Sequence, residues 1–382
     1  MKTSLCTLAA GLALLTACQP ASRHTTVTGT LTGVESDTLL ARYVSIDLRG
    51  SHDSDLDTIA LQEGRFTLTV PNDSTPTEVY LYAKPRGNGA MSMTARPVTT
   101  IAFPGETVTL TGSMTDYRAE GNAFHQALNE VEKQSQPYMK QMEAVYTAFG
   151  QLQQSGKPDP SVADSLREAY NQALEQMLDI HEAYVRQHAN EDIAVYLTSR
   201  MGLEKARELL PILGEQARNG SFAPLYQSLN EALEEALARE EAKKKVSEGA
   251  EAPDFTLKDL QGNDLSLSSL RGKYVVLDFW GSWCGWCIKG IPDMKKYYAK
   301  YKDRMEILGI DCRDTEEKWK EAVKKHELPW LHVRNAEEPD VTVLYGIEGY
   351  PTKIVIDPQG KIAKVVVGED PAFYEYLDKL FK

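Results

Sequence analysis

The sequence predicts a multi-domain chain of three folded parts behind a short leader. These are an all-β sandwich or barrel over residues 18–115, an α-helical segment over 116–247, and an α/β domain over 248–382. Three observations carry this division. In the first part, Phe66, Leu68 and Val70 alternate with Thr67 and Thr69, the two-residue period of a half-buried strand. In the second, Phe124, Leu128, Val131, Tyr138, Met142, Val145 and Phe149 recur at spacings of three, four or seven, as on one face of a helix. After Pro253, short apolar runs alternate with helical patterns.

Composition narrows the function classes. The chain has 382 residues, 42% hydrophobic and 25% charged, the balance of a globular protein. Its 55 acidic and 42 basic side chains leave a net charge of −13, which repels phosphate backbones and excludes nucleic acid as an expected partner. Five cysteines are too few for a disulfide-built scaffold.

Strand patterns cover Val27 to Gly33, Leu39 to Asp47, Thr58 to Val70, Glu78 to Ala83 and Val98 to Gly112. Turn residues punctuate them at Glu63-Gly64, Pro71-Asn72-Asp73, Gly87-Asn88-Gly89 and Pro104-Gly105. This part shows no clustered acids, nucleophile–base pair or phosphate loop.

In the helical part, Leu166, Tyr170, Ala173, Met177, Ile180 and Tyr184 mark a second helix after the break at Gly156-Lys157-Pro158-Asp159-Pro160, with Ser161 as its cap. Two more helices fit 191–218 and 222–246. Leu225, Leu229, Leu233 and Leu237 form a stripe that either packs within the chain or drives a homodimer. His181 and His188, seven apart, lack the third ligand or neighbouring acids of a metal site and read as surface residues. Glu240–Lys244 and Glu241–Lys245 stand in the favourable i,i+4 order and carry the last helix almost to Gly249.

Residues 1–17 read as a signal peptide. Lys2 supplies a positive charge, and the 13 residues from Leu5 to Ala17 form an apolar run too short to span a bilayer. The run ends in Leu15-Thr16-Ala17-Cys18, which resembles the lipobox of bacterial lipoproteins. The resemblance implies cleavage before Cys18 and its lipidation, with Cys6 lost in the leader. The protein would then sit on a membrane through its N-terminal lipid, in the oxidising, periplasm-facing envelope. With Gln19 in place of the aspartate that holds some lipoproteins at the inner membrane, the resemblance implies the outer membrane.

The α/β domain carries the chemistry. Tyr274 to Trp280 is an apolar strand interrupted by Asp278, and Gly281-Ser282-Trp283-Cys284-Gly285-Trp286-Cys287 leads from it into a helix. A Cys-x-x-Cys between strand and helix brings both sulfurs onto one helical turn, within disulfide reach. Cys284, at the helix start, faces free backbone N–H groups and the positive end of the dipole, which favour its thiolate. Cys287 lies further in, is the more buried, and needs help to lose its proton. An acid on an apolar strand is costly without a role or a partner, which singles out Asp278.

The stretch Asp278-Phe279-Trp280 through Cys287 resembles the active site of thioredoxins. The leading hairpin around Asp259 to Asn263, and the extra helical piece before Gly349-Tyr350-Pro351-Thr352, resemble the TlpA/ResA branch of envelope thiol–disulfide oxidoreductases. The likeness covers about a third of the chain and implies a thioredoxin fold. It implies Cys284 as nucleophile, Cys287 as resolving thiol, Asp278 as proton carrier and Tyr350-Pro351 as a cis-proline turn facing the cysteines. Trp283 and Trp286, with Tyr350 and Pro351, would bind substrate, while Trp280 belongs to the core. The branch carries a glutamate three residues after the second cysteine; Gly290 stands there, and Asp278 is the expected substitute. Cys312 is either an ordinary free cysteine or a third, modulating thiol.

The expected cofactor is none beyond the redox-active disulfide Cys284–Cys287, and no metal is expected. A zinc site completed by Cys312 and His326 or His332 lacks a second close ligand pair. Expected partners are envelope proteins bearing thiols or disulfides and an upstream dithiol electron donor, and the expected direction is reduction. A thiol peroxidase is the first alternative, but the Pro-x-x-x-Thr-x-x-Cys motif of peroxiredoxins is missing. The second is a binding lipoprotein with a vestigial redox domain.

Overall fold

A computed structural model describes residues 25–34, 36–47, 56–71, 74–84, 97–154, 159–336 and 338–382. The signal peptide, the Cys18 lipidation site and the turns expected at 72–73, 87–89 and 156–158 lie outside the described residues. The chain forms two compact units, one ending at Asn230 and the other beginning at Glu231. No residue marks that point in the sequence, where the boundary was expected at 247/248, because the helix Ala223–Lys245 runs unbroken through it.

The first unit opens with eight strands: β1 (Thr25–Thr32), β2 (Thr38–Ser45), β3 (Asp57–Ala60), β4 (Arg65–Val70), β5 (Thr77–Ala83), β6 (Val98–Ala102), β7 (Thr107–Ser113) and β8 (Tyr117–Glu120). They form two four-stranded sheets, ordered β4-β1-β7-β8 and β3-β2-β5-β6. Both sheets feed one apolar cluster, with Val27, Phe66, Leu68 and Leu110 from the first and Leu39, Val79, Leu81 and Val98 from the second. The alternating pattern thus produces two packed sheets, each with one buried face. Strand β8, expected as the start of the helical segment, pairs with β7 from Thr109↔Glu120 to Gly112↔Tyr117; four residues are too few to display a period.

Helices α1 (Ala123–Gln154), α2 (Pro160–Gln187), α3 (Asp192–Arg200), α4 (Gly202–Leu209), α5 (Glu215–Arg218) and α6 (Ala223–Lys245) follow. Asp159, not Ser161, caps α2: its carboxylate accepts from the Ser161 N–H at 2.9 Å and hydroxyl at 2.8 Å, and Pro160 fills the first turn. The single helix expected over 191–218 is broken. Gly202 adopts φ +81°, a left-handed conformation that only glycine takes without cost, and Leu210–Ile212 tightens into a 3₁₀ turn around Pro211. His181 and His188 are half-buried rather than surface residues. Burial pushes the His181 imidazole below its ordinary pKa, while His188 bonds Glu191 at 2.9 Å and stacks on Tyr184. Leu225 and Leu229 of the leucine stripe are buried, and Leu233 and Leu237 half-buried. Of the expected charge pairs on α6, Glu240–Lys244 forms, and Lys244 also meets Glu241.

In the second unit, β9 (Thr256–Asp259) and β10 (Asp264–Ser266) make the leading hairpin. Then come β11 (Tyr274–Trp280), α7 (Gly285–Tyr301), β12 (Met305–Cys312), α8 (Glu316–Lys325), β13 (Leu331–Asn335), α9 (Val341–Leu344), β14 (Thr352–Ile356), β15 (Ile362–Val367) and α10 (Pro371–Leu380). The seven-stranded sheet is ordered β10-β9-β13-β12-β11-β14-β15. The β11, β12 and β13 neighbours are parallel, and β14 and β15 run antiparallel. This is a thioredoxin-like domain. Alternation along β11 sends Val276 and Trp280 into the cluster with α7, α8 and α10, and Val275, Leu277 and Phe279 into the opposite one with Tyr345 and Phe255. Asp278 therefore belongs to the α7 face. Among the described residues no helix is long and apolar enough to cross a membrane.

Asp340 caps α9, the piece that leads to the Tyr350-Pro351 turn. One carboxylate oxygen accepts from the Thr342 N–H at 2.8 Å, the Thr342 hydroxyl at 2.6 Å and the Asn335 amide at 2.9 Å. Burial would raise this carboxyl, but these bonds outweigh it and hold it below the ordinary range. Such a group adds stability above its unfolded pKa and loses it as pH falls through the folded one. Asp340→Ala is expected to cost about 1 kcal/mol near neutrality. Urea denaturation should show that cost shrinking in acid.

Candidate active site

The site is built where β11 hands over to α7. Cys284 is the N-cap of α7, and its Sγ accepts the Cys287 N–H at 3.1 Å. Cys284 and Cys287 are joined as a disulfide, with an S–S distance of 2.01 Å and Cα atoms 5.2 Å apart. Both are 6% exposed, so Cys287 is not the more buried of the pair as the sequence suggested; the bond draws both against Trp280 and Ile291. Of the tryptophans, Trp280 is in the core, while Trp283 and Trp286 are 48% and 61% exposed on either side of Cys284.

Trp283 is held edge-on to Tyr350, with ring centroids 5.2 Å apart, and its indole N–H donates to the Cys312 carbonyl at 2.9 Å. The Tyr350–Pro351 bond is cis, and Pro351 is buried. The Arg313 guanidinium lies over both the Trp283 and Tyr350 rings, and the Lys289 ammonium lies 4.6 Å from the centre of the Trp286 ring. The exposed rim around Cys284 is therefore aromatic with a cationic edge.

The segment between β11 and Cys284 is tied down by acids. Asp314 accepts the Ser282 N–H at 2.6 Å and the Ser282 hydroxyl at 2.7 Å. Fully buried Asp311 meets it. Two carboxyls share such a site only when one keeps a proton. Burial, then the Asp314 partner, push Asp311 up to about 8, so it stays the acid of the pair. Burial would raise Asp314 too, but hydrogen bonds from Asp311 and Ser282 outweigh it.

Asp278 is buried on the α7 face of β11, opposite Lys353 of β14 in register. Burial pushes its carboxyl up, the Lys353 ammonium pulls it down, and Glu369 adds to the rise. Lys353, 2% exposed, pairs with Glu369 at 2.7 Å, and Glu369 also accepts the Tyr374 hydroxyl at 2.6 Å. Cys312 is free and 1% exposed; its S–H donates to the Ile310 carbonyl at 3.4 Å, and burial pushes its thiol well up. Among the described residues no group of three or more histidine, cysteine or acidic side chains is placed to hold a metal.

Comparisons with known proteins bear on this geometry. A family model described as the AhpC/TSA family matches residues 249–365. A thiol-disulfide oxidoreductase ResA of Bacillus cereus is 38% identical over 128 residues, which is 33% of this chain and 73% of the relative. The chain belongs to the ResA-like thiol–disulfide oxidoreductases. ResA of Bacillus subtilis (strain 168) is 35% identical over 139 residues, covering 36% of this chain and 77% of the relative. Among solved structures, the thioredoxin domain of a thiol-disulfide oxidoreductase from Bacteroides vulgatus is 35% identical, covering 36% of this chain and 99% of that one, with a TM-score of 0.33.

This ResA-like chain is a thiol–disulfide oxidoreductase. The structure brings Cys284, Cys287, Trp283, Trp286, Tyr350 and Pro351 together and places Asp278 on the same side of the sheet. Sequence reasoning missed Lys353, Glu369, Ser282 and Asp314. Lys353 was visible by the argument that found Asp278, being a charge in the apolar run Thr352-Lys353-Ile354-Val355-Ile356. Glu369 sits in a loop after Gly368 and gave no pattern.

The raised Asp278 pKa has a stability consequence. Between the unfolded and folded values the native state binds the extra proton, so stability falls as pH rises through that window. Asp278→Asn removes this dependence. Chemical denaturation at about pH 5 and about pH 8 should show a smaller loss of stability with pH in the variant than in the wild type.

Proposed function

We propose that this enzyme is anchored through a lipid on Cys18 in the bacterial envelope, facing the periplasm from the outer membrane, and reduces protein disulfides there. The observation that carries the exchange chemistry is the Cys284–Cys287 disulfide at the first turn of α7, with buried Asp278 on the strand facing that helix. The lipid anchor rests on Leu15-Thr16-Ala17-Cys18 alone, and the reducing direction on the ResA-like resemblance.

In the reduced enzyme the α7 dipole and the Cys287 N–H favour a thiolate on Cys284. That thiolate attacks a substrate disulfide: one substrate S–S bond breaks, a Cys284–substrate S–S bond forms, and the displaced thiolate takes a proton. Cys287 then attacks Cys284 and passes its proton to the Asp278 carboxylate. The Cys284–Cys287 bond forms, the second substrate thiol leaves, and two electrons have passed to the substrate. An upstream dithiol protein returns them and is itself oxidised to a disulfide. Trp283, Trp286 and the Tyr350-Pro351 turn receive an extended substrate segment by backbone pairing. Cysteines of apocytochrome c, or wrongly oxidised envelope proteins, fit this role. No metal or organic cofactor enters any step. A homodimer through α6 has only the half-buried Leu233 and Leu237 to use, since Leu225 and Leu229 are already buried.

The AhpC/TSA match raises the peroxidase alternative. Its motif needs a proline and a threonine seven and three residues before the reactive cysteine, where Leu277 and Gly281 stand. The site therefore favours dithiol exchange.

Two measurements test the reading. Cys284→Ser should reduce exchange with a protein disulfide to the uncatalysed rate, and Cys287→Ser should accumulate mixed disulfides whose mass identifies the partners; exchange near the wild-type rate in Cys284→Ser overturns the assignment. The Cys284–Cys287 couple, titrated in graded thiol buffers, should lie near or below about −220 mV, whereas a value near about −120 mV would make the enzyme an oxidant.

A further inference from the structure

Gly290 lies one turn beyond Cys287 on the buried side of α7, where Ile291 and Met294 also point inward. A side chain there would be buried, yet the position is empty of one. A Cβ added to Gly290 would overlap the carboxylate of Glu369. The niche on α7 is thus filled from outside the helix by an acid carried on the loop between β15 and α10. Nothing about this seat is loose. Glu369 is held by Lys353 at 2.7 Å and by the Tyr374 hydroxyl at 2.6 Å, and that hydroxyl also reaches the Gly290 carbonyl at 3.5 Å. Lys353 is the residue opposite Asp278 across the β11–β14 ladder.

We propose that Glu369 is a positioning residue for the exchange reaction: seated in the Gly290 niche, it holds the Lys353 ammonium and thereby sets the pH at which Asp278 can take the proton of Cys287. This deepens the role proposed above for Asp278 and rests on it.

The argument is one of charge. Asp278 and Lys353 are buried and Glu369 is half-buried beside them, and with all three ionised the group carries one excess negative charge. Removing it by protonating Asp278 is then favoured, because little water is present to screen the two carboxylates. With Glu369 neutral, Lys353 balances Asp278 alone, and the Asp278 carboxylate persists to lower pH. The remaining groups do not change this balance. From α10, Tyr374 already spends its hydroxyl on Glu369, which holds it protonated. From α7, Asp293 is exposed, and Cys287 is the proton donor itself. From the β12 side, Gly309 stands opposite Asp278, and the His332 lying over it is neutral, since burial pushes it down to about 4. Lys353 is the one cation that acts on Asp278, and Glu369 is its one ion-pair partner among the described residues.

The test follows the second half of the reaction alone. The reduced full-length enzyme is mixed with dithiobis(nitrobenzoate). The first thionitrobenzoate is released as Cys284 forms a mixed disulfide, and the second as Cys287 attacks it. The rate of the second release against pH reads the deprotonation of Cys287. Glu369→Gln should move the midpoint of this profile to lower pH and speed the second phase on its acid side, with the first phase unchanged in midpoint. Gly290→Ala, which pushes the carboxylate from its niche while leaving Glu369 in the chain, should move it in the same direction and serves if Glu369→Gln does not fold. In an Asp278→Asn background neither substitution should have any effect. An unmoved midpoint in a folded Glu369→Gln or Gly290→Ala overturns the proposal while leaving Asp278 in its role. A shift that survives Asp278→Asn overturns it as well, and a profile unaffected by Asp278→Asn alone overturns both this proposal and the role of Asp278.

Discussion

A carboxylate and an ammonium face each other across two central strands of an otherwise apolar sheet, and the redox unit is organised around what that costs. Asp278 and Lys353 are in register on β11 and β14, both nearly closed to solvent. Neither would be tolerated alone, since leaving a buried charge unpaired costs about 3–5 kcal/mol. Paired without further partners, they would still leave donors of the ammonium unsatisfied. Glu369 and Tyr374 complete the set, and the side chain missing from Gly290 gives Glu369 its place. The cluster is costly to assemble, and it lies on the side of the sheet that carries the cysteines.

The two periodicities of the backbone explain that coincidence. Alternation along β11 turns Val276, Asp278 and Trp280 to one face, and the 3.6-residue turn of α7 sends Cys287, Gly290, Ile291 and Met294 back toward it. The helix starts at Cys284 because that residue accepts the Cys287 N–H, so capping and reactivity use the same sulfur. On the outer side, Trp283 and Trp286 are exposed and Tyr350 is half-buried; Arg313 lies over the Trp283 and Tyr350 rings, Lys289 over the Trp286 ring, and the Cys312 carbonyl holds the Trp283 indole. A second acid pair, Asp311 and Asp314, fastens Ser282 in front of the cysteines through a retained proton. Burial raises the carboxyl pKa at both places, once beside the cysteines at Asp278 and once at Asp311, where the acid holds the loop.

The amino-acid sequence determined the local elements wherever a segment was long enough to show a period or carried its own punctuation. Strands β1 to β7, the long helices α1, α2 and α6, the leading hairpin and the Cys284–Cys287 turn were legible in this way. Short or interrupted pieces were not. Strand β8 has four residues, and the 191–218 region was read as one helix because its apolar spacing continues through Gly202 and Pro211, whose backbone effects break it. In the site, chemistry concentrated in adjacent residues was readable, which is why Cys284, Cys287, Trp283, Trp286 and the Tyr350-Pro351 turn stood out.

Only the tertiary structure decided what Asp278 faces. Its partners come from β14, from the loop after β15 and from α10, between 75 and 96 residues further along the chain, so no local pattern could pair them. Gly290 shows the same limit. Read along the chain, it is a missing acid. Folded, it is the space that admits Glu369, because a glycine on the buried side of a helix leaves room that only the packing of another element can fill.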